Sequence, residues 1–92
     1  AVLFSSIASV SFAGDAAAGK AKSMTCAGCH GTTGISNNPM WPNLAGQKQA
    51  YLASSLQMYR DGRRKNAMMS AMAKNLTDAD IANLAAYYSS LK

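Results

Sequence analysis

The sequence predicts a small all-α domain with about three main helices, joined by long loops around one covalently bound group. Good helix formers follow a capping residue near the start of the chain, and apolar residues recur at helical spacing near its end. Between them, residues 31–46 are rich in glycine, proline and asparagine, which favour an irregular loop. The sequence shows no βαβ pattern.

We expect this domain to occupy residues 14–92. Residues 1–13 carry no charge, are mostly apolar, and are too few to span a bilayer. They resemble the apolar part of a secretory signal, because small residues occupy the two positions of Ser11-Phe12-Ala13 that suit a cleavage site. We therefore interpret residues 1–13 as the remnant of a signal peptide and expect an exported protein. A domain as small as residues 14–92 buries too little apolar surface to be stable by itself and needs additional stabilisation from a disulfide, a metal or a large cofactor.

The first helix is predicted to follow Asp15, a suitable N-cap, and to run through residues 16–24. It contains Gly19, which costs a helix on the order of 1 kcal/mol relative to alanine. This glycine favours close approach by another element, although chance explains a single glycine equally well.

A second helix is predicted over residues 47–61 and ends at Gly62. We interpret one face of it as a packing face for the core, carrying Tyr51, Leu52, Ser55, Leu56 and Tyr59. Residues 62–75 show no clear period, so no helix is predicted there. This segment begins with a basic run, Arg63-Arg64-Lys65, which is more often a solvated surface than a site.

The last helix is the most clearly marked. Thr77 is its predicted N-cap, and Asp78 and Asp80 in the first turn suit the helix dipole. An apolar stripe follows at helical spacing, formed by Ile81, Leu84, Ala85 and Tyr88.

The chain is basic, with nine Lys and Arg against four Asp and Glu and a net charge of +5. This balance favours acidic partners or a negative membrane surface. Nucleic acid is excluded as a partner, because no dense basic stripe with interleaved aromatic residues is present.

Both cysteines of the chain and its only histidine lie in one stretch, Cys26-Ala27-Gly28-Cys29-His30. Two thiols at this spacing, followed directly by an imidazole, are typical of covalent haem attachment: each thiol forms a thioether with one vinyl group, and the imidazole binds the iron. Export agrees with this, since thioether attachment in bacteria takes place outside the cytoplasmic membrane. We therefore predict one haem c held by Cys26 and Cys29.

Other uses of the two cysteines fit less well. A thioredoxin-like dithiol lies near a βαβ pattern, which is absent from this sequence. A structural zinc site needs a fourth ligand, and the chain has no further Cys or His. A disulfide between Cys26 and Cys29 closes a very small loop and stabilises little.

The sixth iron ligand is not fixed by the residues alone. No second histidine exists, so the candidates are a Lys amine or one of six thioethers, those of Met24, Met40, Met58, Met68, Met69 and Met72. Met24 is too close to the motif, and Met58 lies near the inner face of a helix. The Met68, Met69 and Met72 cluster is free to cross the opposite haem face, although such clusters usually fill gaps in a core.

The chain resembles a class I bacterial cytochrome c over essentially all of residues 14–92. It is similar to the short periplasmic monohaem type and to single domains of the dihaem c-four type. The resemblance rests on five stretches in the same order and spacing, Cys26-Ala27-Gly28-Cys29-His30-Gly31, Pro42-Asn43-Leu44-Ala45-Gly46-Gln47, Met69-Ser70-Ala71-Met72-Ala73, Leu76-Thr77-Asp78 and Leu84-Ala85-Ala86-Tyr87.

The resemblance implies roles that spacing does not. The Pro42 carbonyl would accept the His30 Nδ1–H and so fix the orientation of the ring, while Leu44 would pack on the haem. The axial ligand would be Met69, with Met72 as runner-up and Met68 as a further candidate. Gly19 would mark the crossing of the first and last helices, against Leu84 and Tyr87.

We therefore expect a monomeric periplasmic carrier of single electrons, not an enzyme, which serves respiratory partners with acidic docking surfaces. Met/His ligation raises the reduction potential, as does burial of the haem. The alternative is a haem enzyme or small-molecule sensor with an open sixth site. The basic run has two candidate functional roles, neutralising the haem propionates and docking a partner.

Overall fold

The structure, a computed structural model, describes residues 14–91, and within this range it is all-helical with no strand. The signal-peptide interpretation of residues 1–13 lies outside the described range. Five helices follow one another, α1 (Ala16–Lys22), α2 (Met24–His30), α3 (Gln49–Asp61), α4 (Ala67–Ala73) and α5 (Asp78–Ser90). The all-α prediction is confirmed. The expected three helices correspond to α1 with α2, α3 and α5, so α4 is the element that the prediction missed.

The predicted first helix, residues 16–24, covers α1 and only the first residue of α2. The structure interrupts the helix at Ser23 and then continues it through the cysteine motif to His30. Asp15 caps α1 by accepting hydrogen bonds from the amides of Ala17 and Ala18 at 2.9 and 3.2 Å. The Ser23 hydroxyl donates to the Lys20 carbonyl at 2.7 Å. A serine side chain that bonds the preceding turn competes with the helical ladder, which explains why the helix restarts one residue later.

The second predicted helix is α3, which begins two residues later than expected. Lys48 is extended, with φ −64° and ψ 136°, and Gly62 ends the helix in the left-handed conformation at φ 84°. Its predicted packing face is partly wrong, because Leu52 is buried whereas Tyr51 is 52% exposed.

The missed helix α4 depends on a cap and not on an apolar period. The Asn66 side chain accepts hydrogen bonds from the amides of Met68 and Met69 at 3.1 and 3.0 Å. Most of the helix is exposed, and Ala73 is its one buried residue. A periodicity argument needs a continuous buried stripe, so it fails on so short a helix.

The last helix, α5, follows its prediction closely. Thr77 and Asp80 form a reciprocal capping box, in which the amide of each donates to the side chain of the other at 3.0 Å. The predicted stripe is buried, and Tyr87 is buried with it.

The core forms where α1 and α3 both pack on α5. Gly19 lies at the crossing of α1 and α5, where a Cβ atom would overlap the Asn83 carbonyl oxygen and approach the Tyr87 Cβ to 2.8 Å. The predicted contact with Tyr87 is therefore present, and Asn83 takes the place expected for Leu84. The buried core consists of Leu52, Leu84, Ala85, Tyr87 and Tyr88, and partly buried residues packed on it include Cys26, Leu44 and Leu56.

Candidate haem-binding site

The cysteine motif, Cys26 to His30, forms the last five of the seven residues of α2. Cys26 and Cys29 are three residues apart on a helix and so share one face. Both are half-buried free thiols that form no disulfide. Burial raises the pKa of the Cys26 thiol, because desolvation disfavours the thiolate. Cys29 instead lines a pocket of about 120 Å³ together with Asn38 and Trp41 from the following loop.

His30 ends α2 and is only 6% exposed. Its Nδ1 lies 2.8 Å from the Pro42 carbonyl oxygen. A carbonyl can only accept, so Nδ1 carries a proton, and in the neutral imidazole Nε2 then has the free lone pair. A hydrogen bond of this kind fixes both the tautomer and the orientation of a ligating imidazole.

The loop of residues 31–48 holds Pro42 opposite His30 without regular structure. The Gly34 carbonyl accepts hydrogen bonds from the amides of Leu44 and Ala45 at 2.8 and 3.1 Å. The Gly46 amide donates to the Tyr88 carbonyl at 2.9 Å, which ties the end of the loop to α5. Leu44 is half-buried against the core, as a residue packed beside an apolar ring would be.

The methionines of α4 differ in burial. Met69 is half-buried, while Met68 and Met72 are 55% and 47% exposed. Of the earlier candidates, Met24 and Met40 are 77% and 80% exposed. Met58 is half-buried in α3, where its sulfur lies 3.7 Å from the Ser54 hydroxyl. Met69 is thus the most enclosed thioether of α4.

Two polar residues that the sequence reasoning overlooked hold the segment that contains Met69. Asn66 caps α4 at its start. Arg60, near the end of α3, donates to the Leu76 carbonyl at 3.3 Å and to Asp78 at 2.8 Å. Arg60 therefore joins the two ends of the excursion formed by residues 61–76. An asparagine before a run of helix formers is a recognisable cap signal, whereas nothing in the sequence pairs Arg60 with Asp78.

A third overlooked residue, Tyr88, contacts the attachment motif directly. Cys26 packs against the core cluster that contains Tyr88, and burial raises the pKa of the Tyr88 hydroxyl well above its usual range. Tyr88 is 3% exposed. The last helix therefore covers the first cysteine of the motif with a neutral phenol.

The donor set fits haem better than a bare metal ion. Across residues 14–91, no three His, Cys, Asp or Glu side chains are grouped closely enough to hold a metal. One imidazole with a free Nε2, two thiols on one helical face and a thioether on a separate segment instead suit a ring attached at one edge and ligated axially. The fold and the site together define a small all-helical protein of the c-type haem class.

Comparison with known proteins identifies the family. A family model described as cytochrome c matches residues 16–92, and the chain belongs to that family. It is 57% identical over 81 residues to cytochrome c-554(548) of Halomonas halodenitrificans, and the match covers 85% of this chain and 98% of that protein. The chain is therefore a monohaem cytochrome c, with one haem bound through Cys26 and Cys29, and an electron carrier, not an enzyme.

The cytochromes c4 match this chain with one part of their length. Cytochrome c4 of Pseudomonas aeruginosa is 46% identical over 80 residues, which is 87% of this chain and 40% of that protein. The crystal structure of cytochrome c4 from Pseudomonas stutzeri superposes with a TM-score of 0.82 at 42% identity, covering 87% of this chain and 47% of that one. The chain thus spans less than half of each of these two cytochromes c4. Among residues 14–91, no helix is long and apolar enough to cross a membrane.

Proposed function

We propose that this protein carries single electrons between respiratory partners in the periplasm, with His30 and Met69 as the axial ligands of its haem iron. The observation that carries the proposal is the state of His30, a buried imidazole whose Nδ1–H is bonded to Pro42 and whose Nε2 is free to bind a metal. The bound haem supplies reversible one-electron chemistry, and Met/His ligation raises its potential.

The choice of Met69 is supported by its burial. A thioether that binds iron inside the protein is shielded from water, and Met69 is more enclosed than Met68 or Met72. Its amide is fixed by the Asn66 cap at 3.0 Å. Pro42 and Leu44 complete the proposed site, Pro42 by orienting His30 and Leu44 by packing against the ring.

The ligand assignment is tested by replacing the three α4 methionines one at a time. Met69→Ala is expected to abolish the ferric sulfur-to-iron charge-transfer band and to lower the reduction potential, because the soft thioether ligand is lost. Met68→Ala and Met72→Ala are the matched controls and should retain the band. A band that survives in Met69→Ala and disappears in Met72→Ala would assign the ligand to Met72 instead.

The carrier role requires a closed sixth site. We expect the ferrous wild-type protein to bind carbon monoxide poorly at neutral pH, since Met69 occupies the position. Rapid formation of a carbon monoxide complex would contradict the proposal and favour an enzyme or sensor.

Periplasmic location and monomeric state are part of the proposal. The apolar residues 1–13 and the relation to bacterial cytochromes c support export. The full coding sequence, expressed with a haem-attachment system, should yield holoprotein in the periplasmic fraction that elutes as a monomer. Holoprotein found only with membranes or as a stable dimer would contradict it.

A further inference from the structure

The structure divides the basic run Arg63-Arg64-Lys65 into residues with different partners. Arg63 forms an ion pair with Asp61 at 3.1 Å, and Arg60 shares the same carboxylate. Within residues 14–91, neither Arg64 nor Lys65 forms an ion pair, and both are exposed. Arg63 therefore has a carboxylate partner, which it shares with Arg60, whereas Arg64 and Lys65 have none within residues 14–91.

Arg64 is nonetheless held in place. Gly62 reverses the chain at φ 84°, and the Arg64 amide then donates to the Met58 carbonyl at 3.1 Å. This turn lays the guanidinium over the Tyr59 ring, with its central carbon 4.7 Å from the ring centroid. The Arg64 guanidinium also lies near the Tyr51 hydroxyl and lowers the pKa of that tyrosine.

The two tyrosines form a seat for the guanidinium. Tyr51 and Tyr59 lie two turns apart on one face of α3. The Tyr59 ring lies under the Arg64 guanidinium, and the Tyr51 hydroxyl is near it. Stacking on an aromatic ring restricts a guanidinium and leaves in-plane N–H donors for an external ligand. These donors match the two oxygens of a carboxylate. A seated arginine also loses less conformational entropy on binding than a free one.

We propose that Arg64, seated on Tyr59 and Tyr51 with Lys65 beside it, is the carboxylate-binding point at which an acidic redox partner docks. The proposal rests on the proposed function, since only an electron carrier needs such a partner. Arg64 precedes Met69 by five residues, so a partner docked there engages the same short segment that carries the proposed sixth ligand. The net charge of +5 favours an acidic partner over a basic one.

The test uses holoprotein and an octaglutamate peptide as the probe. Binding at low ionic strength is followed by NMR through the Arg Nε–H groups and the amides of residues 62–66. Arg64→Gln should weaken binding by about three- to tenfold, and Arg63→Gln, which removes the same formal charge, by less than about twofold. Arg64→Lys should give an intermediate loss, because it keeps the charge but not the planar fork.

The seat is tested with Tyr59→Leu and Tyr51→Phe. Each should weaken binding of the peptide by about two- to threefold while leaving the charge of the protein unchanged. Thermal unfolding and circular dichroism establish that each variant is folded. Because peptide binding does not depend on the sixth ligand, a failed Met69 assignment would leave this result intact.

Two outcomes would overturn the proposal. Equal weakening by Arg63→Gln and Arg64→Gln would mean that the peptide responds to net charge and not to the seat on α3. A changed reduction potential in Arg64→Gln with unchanged peptide binding would instead place Arg64 on a haem propionate.

Discussion

His30 and Met69, the two proposed axial ligands, lie in segments that the rest of the protein holds to very different degrees. His30 is 6% exposed, bonded to Pro42 at 2.8 Å, and adjacent to the covalent attachment at Cys29. Met69 lies in a seven-residue helix that is mostly exposed. A helix this short is not stable by itself, so the position of Met69 depends on the packing of α4 against α3, the Asn66 cap and the Arg60 bridge. We therefore expect ligand exchange to begin on the methionine side.

The largest expected difference between the histidine side and the methionine side is the stability lost when a glycine is replaced. Gly31, directly after His30, has φ 87° and ψ 150°, a region essentially restricted to glycine. A Cβ atom there would also overlap the Ile35 carbonyl oxygen. Gly31→Ala should therefore lower the free energy of unfolding by about 3 kcal/mol or more, measured by denaturant titration of the holoprotein.

The matched change on the methionine side is Gly62→Ala. Gly62 also has a positive φ, 84°, but apart from its own helix and its chain neighbours no atom of the described residues lies within 4 Å of the added Cβ. Gly62→Ala should therefore lower the free energy of unfolding by only about 1 kcal/mol, the penalty for a left-handed backbone. Gly62→Asn should recover most of that lost stability. Equal losses for the two alanine variants would show that the histidine side is no more tightly packed than the other.

The next effect concerns the cap of α4. Asn66→Ala should lower the free energy of unfolding by about 1 kcal/mol, because two amides lose their acceptor. It should also lower the alkaline pH at which the ferric charge-transfer band disappears, since the helix that presents Met69 frays. Asn66→Asp keeps an acceptor and serves as the control. A band with wild-type pH dependence in Asn66→Ala would show that the cap does not support the ligand.

A smaller effect is expected from the bridge between α3 and α5. Arg60→Gln removes the pairing with Asp78 at 2.8 Å and loosens the closure of residues 61–76. Imidazole should then bind the ferric protein about threefold more tightly, because Met69 competes less well. Asp78→Asn should have a similar effect, whereas Arg63→Gln should have none. If Arg60→Gln leaves the affinity for imidazole unchanged, the ion pair between Arg60 and Asp78 does not help to hold Met69 in place.

The smallest predicted effect is a pH dependence at the start of α5. The hydrogen bond from the Thr77 amide lowers the pKa of Asp80, and Lys22 lies 3.5 Å away. A carboxyl whose pKa is lower in the folded state stabilises the protein above its ordinary pKa and ceases to do so as the pH falls through the folded value. Asp80→Asn should cost less than about 1 kcal/mol at pH 7. The unfolding free energy of the variant should approach that of wild type below about pH 4. A difference that persists in acid would show that the ionised Asp80 carboxylate is not the source of the stabilisation.

The same contrast explains which parts of the site could be predicted from the sequence. The attachment motif is contiguous, and its chemistry dictates both the residue types and their spacing. Cys26, Cys29 and His30 can therefore be identified from the sequence alone. The helices α3 and α5 are marked by a glycine stop and a capping box. These local signals do not depend on the rest of the fold.

The methionine side depends on contacts between distant residues. Arg60 meets Asp78 across 18 positions, and Tyr88 covers Cys26 from the other end of the chain. Neither contact leaves a pattern in a single sequence. The α4 helix lacks a buried stripe, so its one sequence signal was Asn66, which the periodicity argument overlooked.

The crossing of α1 and α5 at Gly19 also determines when the haem-attachment motif is accessible. In the unfolded chain the motif at residues 26–30 is open, because α5 and Tyr88 reach it only through folding. The two helices that close around the motif meet when α5 packs on α1, and the Asp15 amide then bonds Asn83 across 68 positions. Cys26 therefore stays accessible until Tyr88 packs against it. Closure of the fold ends the interval in which the haem can be attached.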